Sequence, residues 1–193
     1  MKKVRGITLI ELIISMAIIA ILALVAAPSF VKNMENRNLA GAAETLYSHL
    51  QLARSESLLR SEDVVFSVAG MDSTSWAFGI NELTGCDPTV TNNAATNACV
   101  LQIDDGDGTF VAANDNVLHQ IDGAEFTDVT MKMQVISGTA GNSITFDPAR
   151  GTTDGARQYT LTNASGSSVQ ISLSLIGNVK LCSDDLPDYR SCS

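Results

Sequence analysis

Basic residues are scarce in this chain and nearly missing from its larger part: of 12 Lys and Arg, seven lie at or before Arg60. From residue 61 onward, five Lys and Arg face 17 Asp and Glu, a net charge of −12. So acidic a surface repels phosphate backbones and anionic lipid headgroups, which argues against nucleic acid as a partner. Histidine is scarcer still. His49, in a helical pattern, and His119, in a strand-like one, have no nucleophile, base and orienter arranged around them, which argues against an enzyme. His49 is expected at a helix surface or core edge, and His119 in a strand facing solvent or a neighbour. Internal repeats are absent. What is present is a 45% hydrophobic content in 193 residues, enough for a core, so the chain reads as one domain with an attached segment.

Charge is wholly absent from residues 12–31, LIISMAIIAILALVAAPSFV. Twenty helical residues at ~1.5 Å each cover ~30 Å, the thickness of a bilayer's hydrocarbon core. Lys2, Lys3 and Arg5 precede the run, so the positive-inside rule keeps the N-terminus cytoplasmic and sends the remainder outward. Ala26 and Ala27 imitate a signal-peptide cleavage site, but the apolar run exceeds the ~7–15 residues of such peptides. After the span, Leu39, Ala43, Leu46, Leu50 and Ala53 recur at helical spacing among charged residues, and lone Gly41 is the only Gly or Pro between Ser29 and Arg60. One long helix is expected over 7–59, its first half facing lipid or sister helices and its second laying an apolar stripe on a globular head.

From residue 61 the period changes to short apolar runs separated by Gly, Asn, Asp and Ser, and strands are expected at 64–68, 76–80, 99–103, 117–121, 129–135, 143–146, 158–161 and 169–175. Two alternations stand out, Val129, Met131, Met133, Val135 and Val169, Ile171, Leu173, Leu175, each placing one face on a core. Residues 85–98 and 104–116 read as loops. The four cysteines form two sequence-local pairs, Cys86 with Cys99 and Cys182 with Cys192, in a segment placed outside the cytoplasm. Three connectivities are open, and local disulfides are the economical one, each loop adding ~2–4 kcal/mol. Their spacing fits no zinc knuckle. The run Asp104, Asp105, Gly106, Asp107, Gly108 departs from the EF-hand pattern and reads as an acidic surface turn, with calcium held with the help of Asp115 as the alternative.

Glu11 stands one turn inside the apolar helix, where a carboxylate costs roughly 2.5–3.5 kcal/mol and calls for a partner. Cleavage after Gly6 would free the amine of Ile7. Opposite charges 4 Å apart gain ~4 kcal/mol at an effective dielectric near 20, which offsets that cost and, between neighbours, sets an axial stagger. Gly6 gives a protease close access to the backbone.

The leader 1–6, Gly6, the Thr8-Leu9-Ile10-Glu11 run and the span that follows resemble the class III signal of type IV pilins and type II secretion pseudopilins. The resemblance implies cleavage by a prepilin peptidase between Gly6 and Ile7, N-methylation of Ile7, and a filament role for Glu11; Ile7 stands where such proteins usually carry Phe. Pro28 falls where they place a helix-bending proline, and it removes the backbone bond to Leu24. Further on, QLARSESLLRSE at 51–62, the Val-Val-Phe strand, Trp76, and residues 144–151 (ITFDPARG) resemble the GspH/FimT group of minor subunits.

That likeness implies an α+β fold: leader 1–6, transmembrane and filament-core helix 7–31, amphipathic helix 32–60, and a β-rich head 61–193 of two antiparallel sheets packed on the helix. It also implies a non-enzymatic minor type IV pilin, without cofactor or metal, that helps initiate or cap a filament. The runner-up is a minor pseudopilin of type II secretion. Implied partners are other minor and major pilins or pseudopilins, the prepilin peptidase, inner-membrane lipid and an inner-membrane assembly platform. The implied location is a bacterial inner membrane with the head in the periplasm, and then the filament, at its tip. Some FimT-like proteins bind DNA through a Gly-Arg-x-Arg stretch; here Gly177-Asn178-Val179-Lys180 lacks both arginines, which argues against a DNA-uptake receptor.

Overall fold

The computed structural model describes residues 8–103 and 105–192, apart from the side chains of residues 25–28. Helix α1 (Leu9–Arg60, 52 residues) begins at Thr8, whose hydroxyl accepts a bond from the Glu11 N–H, and ends at Ser61 in a left-handed conformation. It runs through Pro28 as one element. Its C-terminal half buries the expected stripe, with Leu39, Ala43, Leu46, Leu50 and Ala53 all inaccessible to solvent. Each leucine so buried contributes roughly 1.5–3 kcal/mol.

The head follows in chain order as β1 (Val64–Ala69), β2 (Ala77–Glu82), β3 (Val100–Gln102), the helical turn α2 (Ala112–Asp115), β4 (Asn116–Leu118), β5 (Gln120–Asp122), β6 (Thr130–Gly138), β7 (Ser143–Phe146), β8 (Gly155–Thr162), β9 (Ser168–Leu173) and β10 (Val179–Cys182). Two four-stranded antiparallel sheets form, ordered β5-β2-β1-β7 and β10-β9-β8-β6, with β3 and β4 as a separate ribbon. Both sheets contribute buried residues to one core against α1, among them Phe66, Phe78, Ile144, Tyr159, Leu161, Val169 and Ile171. Trp76 stacks between Phe78 and Phe126, and its indole N–H donates to the Val129 carbonyl at 2.8 Å. This anchors the start of β2 beside the residues that lead into β6.

Where the chain passes from one sheet to the other, between β6 and β7, a buried arginine holds it. Arg157 of β8 donates to the carbonyls of Ser137 at 2.9 Å and Thr139 at 2.8 Å. These Nη contacts offset much of the cost of burying a guanidinium, while its Nε–H has no partner among the described residues.

Four expectations need correction. Residues 117–121 are two strands, because at His119 the chain changes partner: its N–H donates to the carbonyl of Cys99, just before β3, and its carbonyl accepts from Ile80 of β2. Residues 179–182, absent from the expected strands, begin with a buried Val179 and pair with β9 as its outer neighbour. The loop at 104–116 contains the helical turn α2. Leu175 is exposed, because β9 stops at Leu173 and the chain turns there, with the Gly177 N–H bonded to the Ser174 carbonyl.

Candidate anchoring and assembly site

From Leu9 to Met34, α1 leaves the head. Its described large apolar side chains are more than half exposed, from 51% at Met34 to 78% at Leu9. The helix is long and apolar enough to cross a membrane, with a mean hydropathy of 2.8 in its most apolar stretch. Nothing in the described chain covers this surface, so its apolar area is available to lipid or to like helices.

Glu11 sits in the first turn of this helix, where the exposed N–H groups favour a negative charge. Its backbone is fully engaged: the N–H meets Thr8 and the carbonyl accepts from the Ser15 hydroxyl at 2.7 Å. Among the described residues, no hydrogen bond or ion pair reaches its carboxylate. Gly6 and Ile7, the expected cleavage and methylation positions, lie outside the described residues.

At the far end of α1, two arginines tie the helix to the head. Arg60 binds Glu56 at 2.7 Å, and its Nη1 meets both Glu82 of β2 and the Gln102 carbonyl of β3. Arg54 donates to the Gly177 carbonyl at 3.2 Å. Gly177 is left-handed at φ +71°, and a Cβ there would lie 2.0 Å from the Gly151 carbonyl oxygen. The Gly177-Asn178-Val179-Lys180 stretch is thus a structural clasp leading into β10, with Lys180 as its one exposed cation.

Disulfides join Cys86 to Cys99 and Cys182 to Cys192. The first relies on Gly79, since a Cβ at that position would fall 2.6 Å from the Cys99 Cβ. The second closes the tail after β10, which is further held by buried Leu186 and by the Tyr189 hydroxyl donating to Glu44 of α1 at 3.0 Å. Burial, and then the bond to Glu44, push the Tyr189 phenol up to about 12. Sequence reasoning missed Gly79, Arg54 and the Tyr189 to Glu44 bond, since each acts through a partner distant in sequence.

His49 is half-buried, edge-on to Phe78 at 5.2 Å, with Nδ1 3.0 Å from the Thr45 carbonyl. Burial lowers its pKa, against a smaller opposing effect of the Thr45 contact. His119 is half-buried at the junction of β4 and β5, and burial lowers its pKa against the opposing charge of Glu56. In the acidic loop, Asp105 accepts from the Asp107 N–H and the Asn114 amide, Asp107 from the Thr109 N–H, and buried Asp115 from the Val111 N–H. These carboxylates order the loop's own backbone. Among the described residues no group of three His, Cys, Asp or Glu is arranged to hold a metal; Asp104 lies outside them.

Residues 42–177 match the family described as type II transport protein GspH, and residues 1–27 match the prokaryotic N-terminal methylation motif. The type IV minor pilin FimU of Pseudomonas aeruginosa has a similar fold, with 20% identity, 76% of this chain and 90% of that chain covered, and a TM-score of 0.48. The minor pseudopilin EpsH from the type 2 secretion system of Vibrio cholerae has 14% identity, 76% and 97% coverage, and a TM-score of 0.47. No curated protein matches the chain.

Proposed function

We propose, from the premise that the chain belongs to the GspH family of type II transport proteins, whose members are structural pilin and pseudopilin subunits, that it is a minor type IV pilin helping to initiate or cap a filament. The observation that carries this is the apolar half of α1, exposed among the described residues, with a carboxylate in its first turn that has no partner among them. An exposed surface of this size marks an interaction site, and an intramembrane carboxylate calls for a partner.

In this reading the precursor waits in the inner membrane with its head in the periplasm. A prepilin peptidase removes residues 1–6, and the new Ile7 amine is methylated. On transfer by an assembly platform into the filament, the Glu11 carboxylate meets the Ile7 amine of a neighbouring subunit. Pro28, which cannot donate a backbone bond, gives the helix a place to bend as the head seats against its neighbours. The intact mass of the membrane-extracted protein tests the processing step: a chain starting at Ile7 with a methylated amine is expected, and a chain starting near Ala27 would refute it.

A second reading, a minor pseudopilin of type II secretion, is favoured by the family's description as a transport protein. Deleting the gene separates the two. Loss of surface pili with normal exoprotein secretion supports the pilus, and the reverse supports secretion.

A further inference from the structure

Where α1 emerges from its apolar stretch, a groove of about 650 Å³ lies between the helix and the C-terminal tail. One wall is the helix stripe Phe30, Met34 and Arg37; the other is Leu186, Pro187 and Asp188. The tail wall is preformed, because Leu186 is buried in the core, the Cys182 to Cys192 disulfide closes the segment, and Tyr189 is bonded to Glu44.

Phe30, Met34 and Arg37 are spaced i, i+4, i+7, so they line one face over ~10 Å of helix. The charge-free run ends at Val31, which puts Arg37 ~9 Å beyond the hydrocarbon boundary. Helical side chains lean toward the helix N-terminus, so the guanidinium reaches back into the polar headgroup layer. Among the described residues, neither Arg37 nor Asp188 has a hydrogen-bonded or ion-paired partner. The groove therefore offers, in order outward from the membrane, an apolar floor, a free cation and, on the opposite wall, a free anion.

We propose that this groove seats a zwitterionic aminophospholipid of the outer leaflet: acyl chain on Phe30 and Met34, phosphate on Arg37, ammonium on Asp188. The assignment rests on the reading above that α1 spans the membrane before assembly. Charge complementarity selects the occupant. An anionic lipid would satisfy Arg37 but meet Asp188 and a head of net charge −12, whereas a headgroup carrying both signs satisfies both walls. The seat would hold the waiting subunit at a fixed depth and rotation, and would be vacated when the helix leaves the bilayer.

The test is native mass spectrometry of the full-length protein released from nanodiscs of equal phosphatidylethanolamine and phosphatidylglycerol, with Arg37→Ala and Asp188→Asn alongside. The wild type is expected to retain phosphatidylethanolamine at least about tenfold over phosphatidylglycerol, the equivalent of one charged contact of ~1.4 kcal/mol. Arg37→Ala should retain less of both lipids, since both carry the phosphate, whereas Asp188→Asn should lose the preference, shifting toward phosphatidylglycerol. Equal retention of the two lipids by the wild type, undiminished retention by Arg37→Ala, or an unchanged preference in Asp188→Asn, would overturn the proposal. So would equally tight binding of water-soluble glycerophosphoethanolamine, which would mark a phosphate-ester site and not a lipid seat. Alkaline carbonate extraction of the same membranes separates the two levels of inference. A wild type that washes off refutes the spanning helix itself; one that stays but shows no lipid preference refutes only the groove.

Discussion

Gly177→Ala probes the clasp between the end of α1, the Gly151 turn and the start of β10. The added Cβ meets two independent obstacles: a backbone φ of +71° and a carbonyl oxygen, that of Gly151, at 2.0 Å. The left-handed conformation costs a residue with a Cβ about 1–2 kcal/mol. The contact is with backbone on both sides, so relief requires the turn to shift, a further ~1–3 kcal/mol typical of overpacking, and it pulls the Gly177 carbonyl from Arg54. The sum, roughly 2–5 kcal/mol, corresponds to a drop of about 4–20 °C in Tm for a chain of this size. Gly166→Ala is the internal control, since Gly166 has φ +86° but nothing within 4 Å of its added Cβ. It should lose only the conformational ~1–2 kcal/mol. Urea unfolding of both variants in detergent, with disulfides intact, reads the difference. Equal destabilisation by the two, or Gly177→Ala within about 0.5 kcal/mol of wild type, would refute the clasp.

Acid should loosen the head through its histidines. Burial lowers both imidazole pKa values from 6.5, so the unfolded chain takes up protons first, and stability that is full above 6.5 falls as pH drops from 6.5 through the lowered folded values. Urea midpoints at about pH 7.5 and about pH 5.5 should differ less in His49→Gln/His119→Gln than in wild type; an equal difference would contradict this assignment. Replacing Cys182 and Cys192 by Ser opens a loop with a sequence separation of 10 and should cost about 2–3 kcal/mol. Limited proteolysis should then cut residues 183–191 in the variant but not in wild type, and equal resistance would show the tail to be held without the bond.

The fold was legible wherever a pattern is local. A stripe at helical spacing through Leu39, Leu46 and Leu50 needs only its own periodicity to announce a buried face, and alternation did the same for Met131 and Ile171. The disulfide pairs followed from proximity in sequence and an outward-facing compartment. What stayed hidden depends on partners far apart. Residues 117–121 alternate like one strand, and only the competing pull of β2 and the ribbon at His119 divides them. Val179, Lys180 and Leu181 are too short an alternation to declare a strand until β9 lies beside them. The acidic loop reads as a surface turn, but the turn N–H groups that Asp105, Asp107 and Asp115 bind, which order it, are not visible in its composition. At the candidate site, the place of Glu11 near the start of a long apolar helix could be read locally, whereas the groove beside Arg37 exists only once the tail has folded back against α1.

The central claim is that the uncovered end of α1, with Glu11 in its first turn, is an assembly device. Glu11→Ala makes the helix more apolar and leaves Gly6 untouched, so membrane insertion and processing should persist. What is lost is the partner for a neighbour's Ile7 amine, and breaking such a buried pair costs ~3–5 kcal/mol, at least about a hundredfold in an association constant. The decisive measurement is the amount of this protein in sheared filaments from cells making Glu11→Ala, set against its amount in the membranes of the same cells. Equal membrane levels with a marked loss from filaments are expected; filament content equal to that of wild type would show that Glu11 is not an assembly determinant.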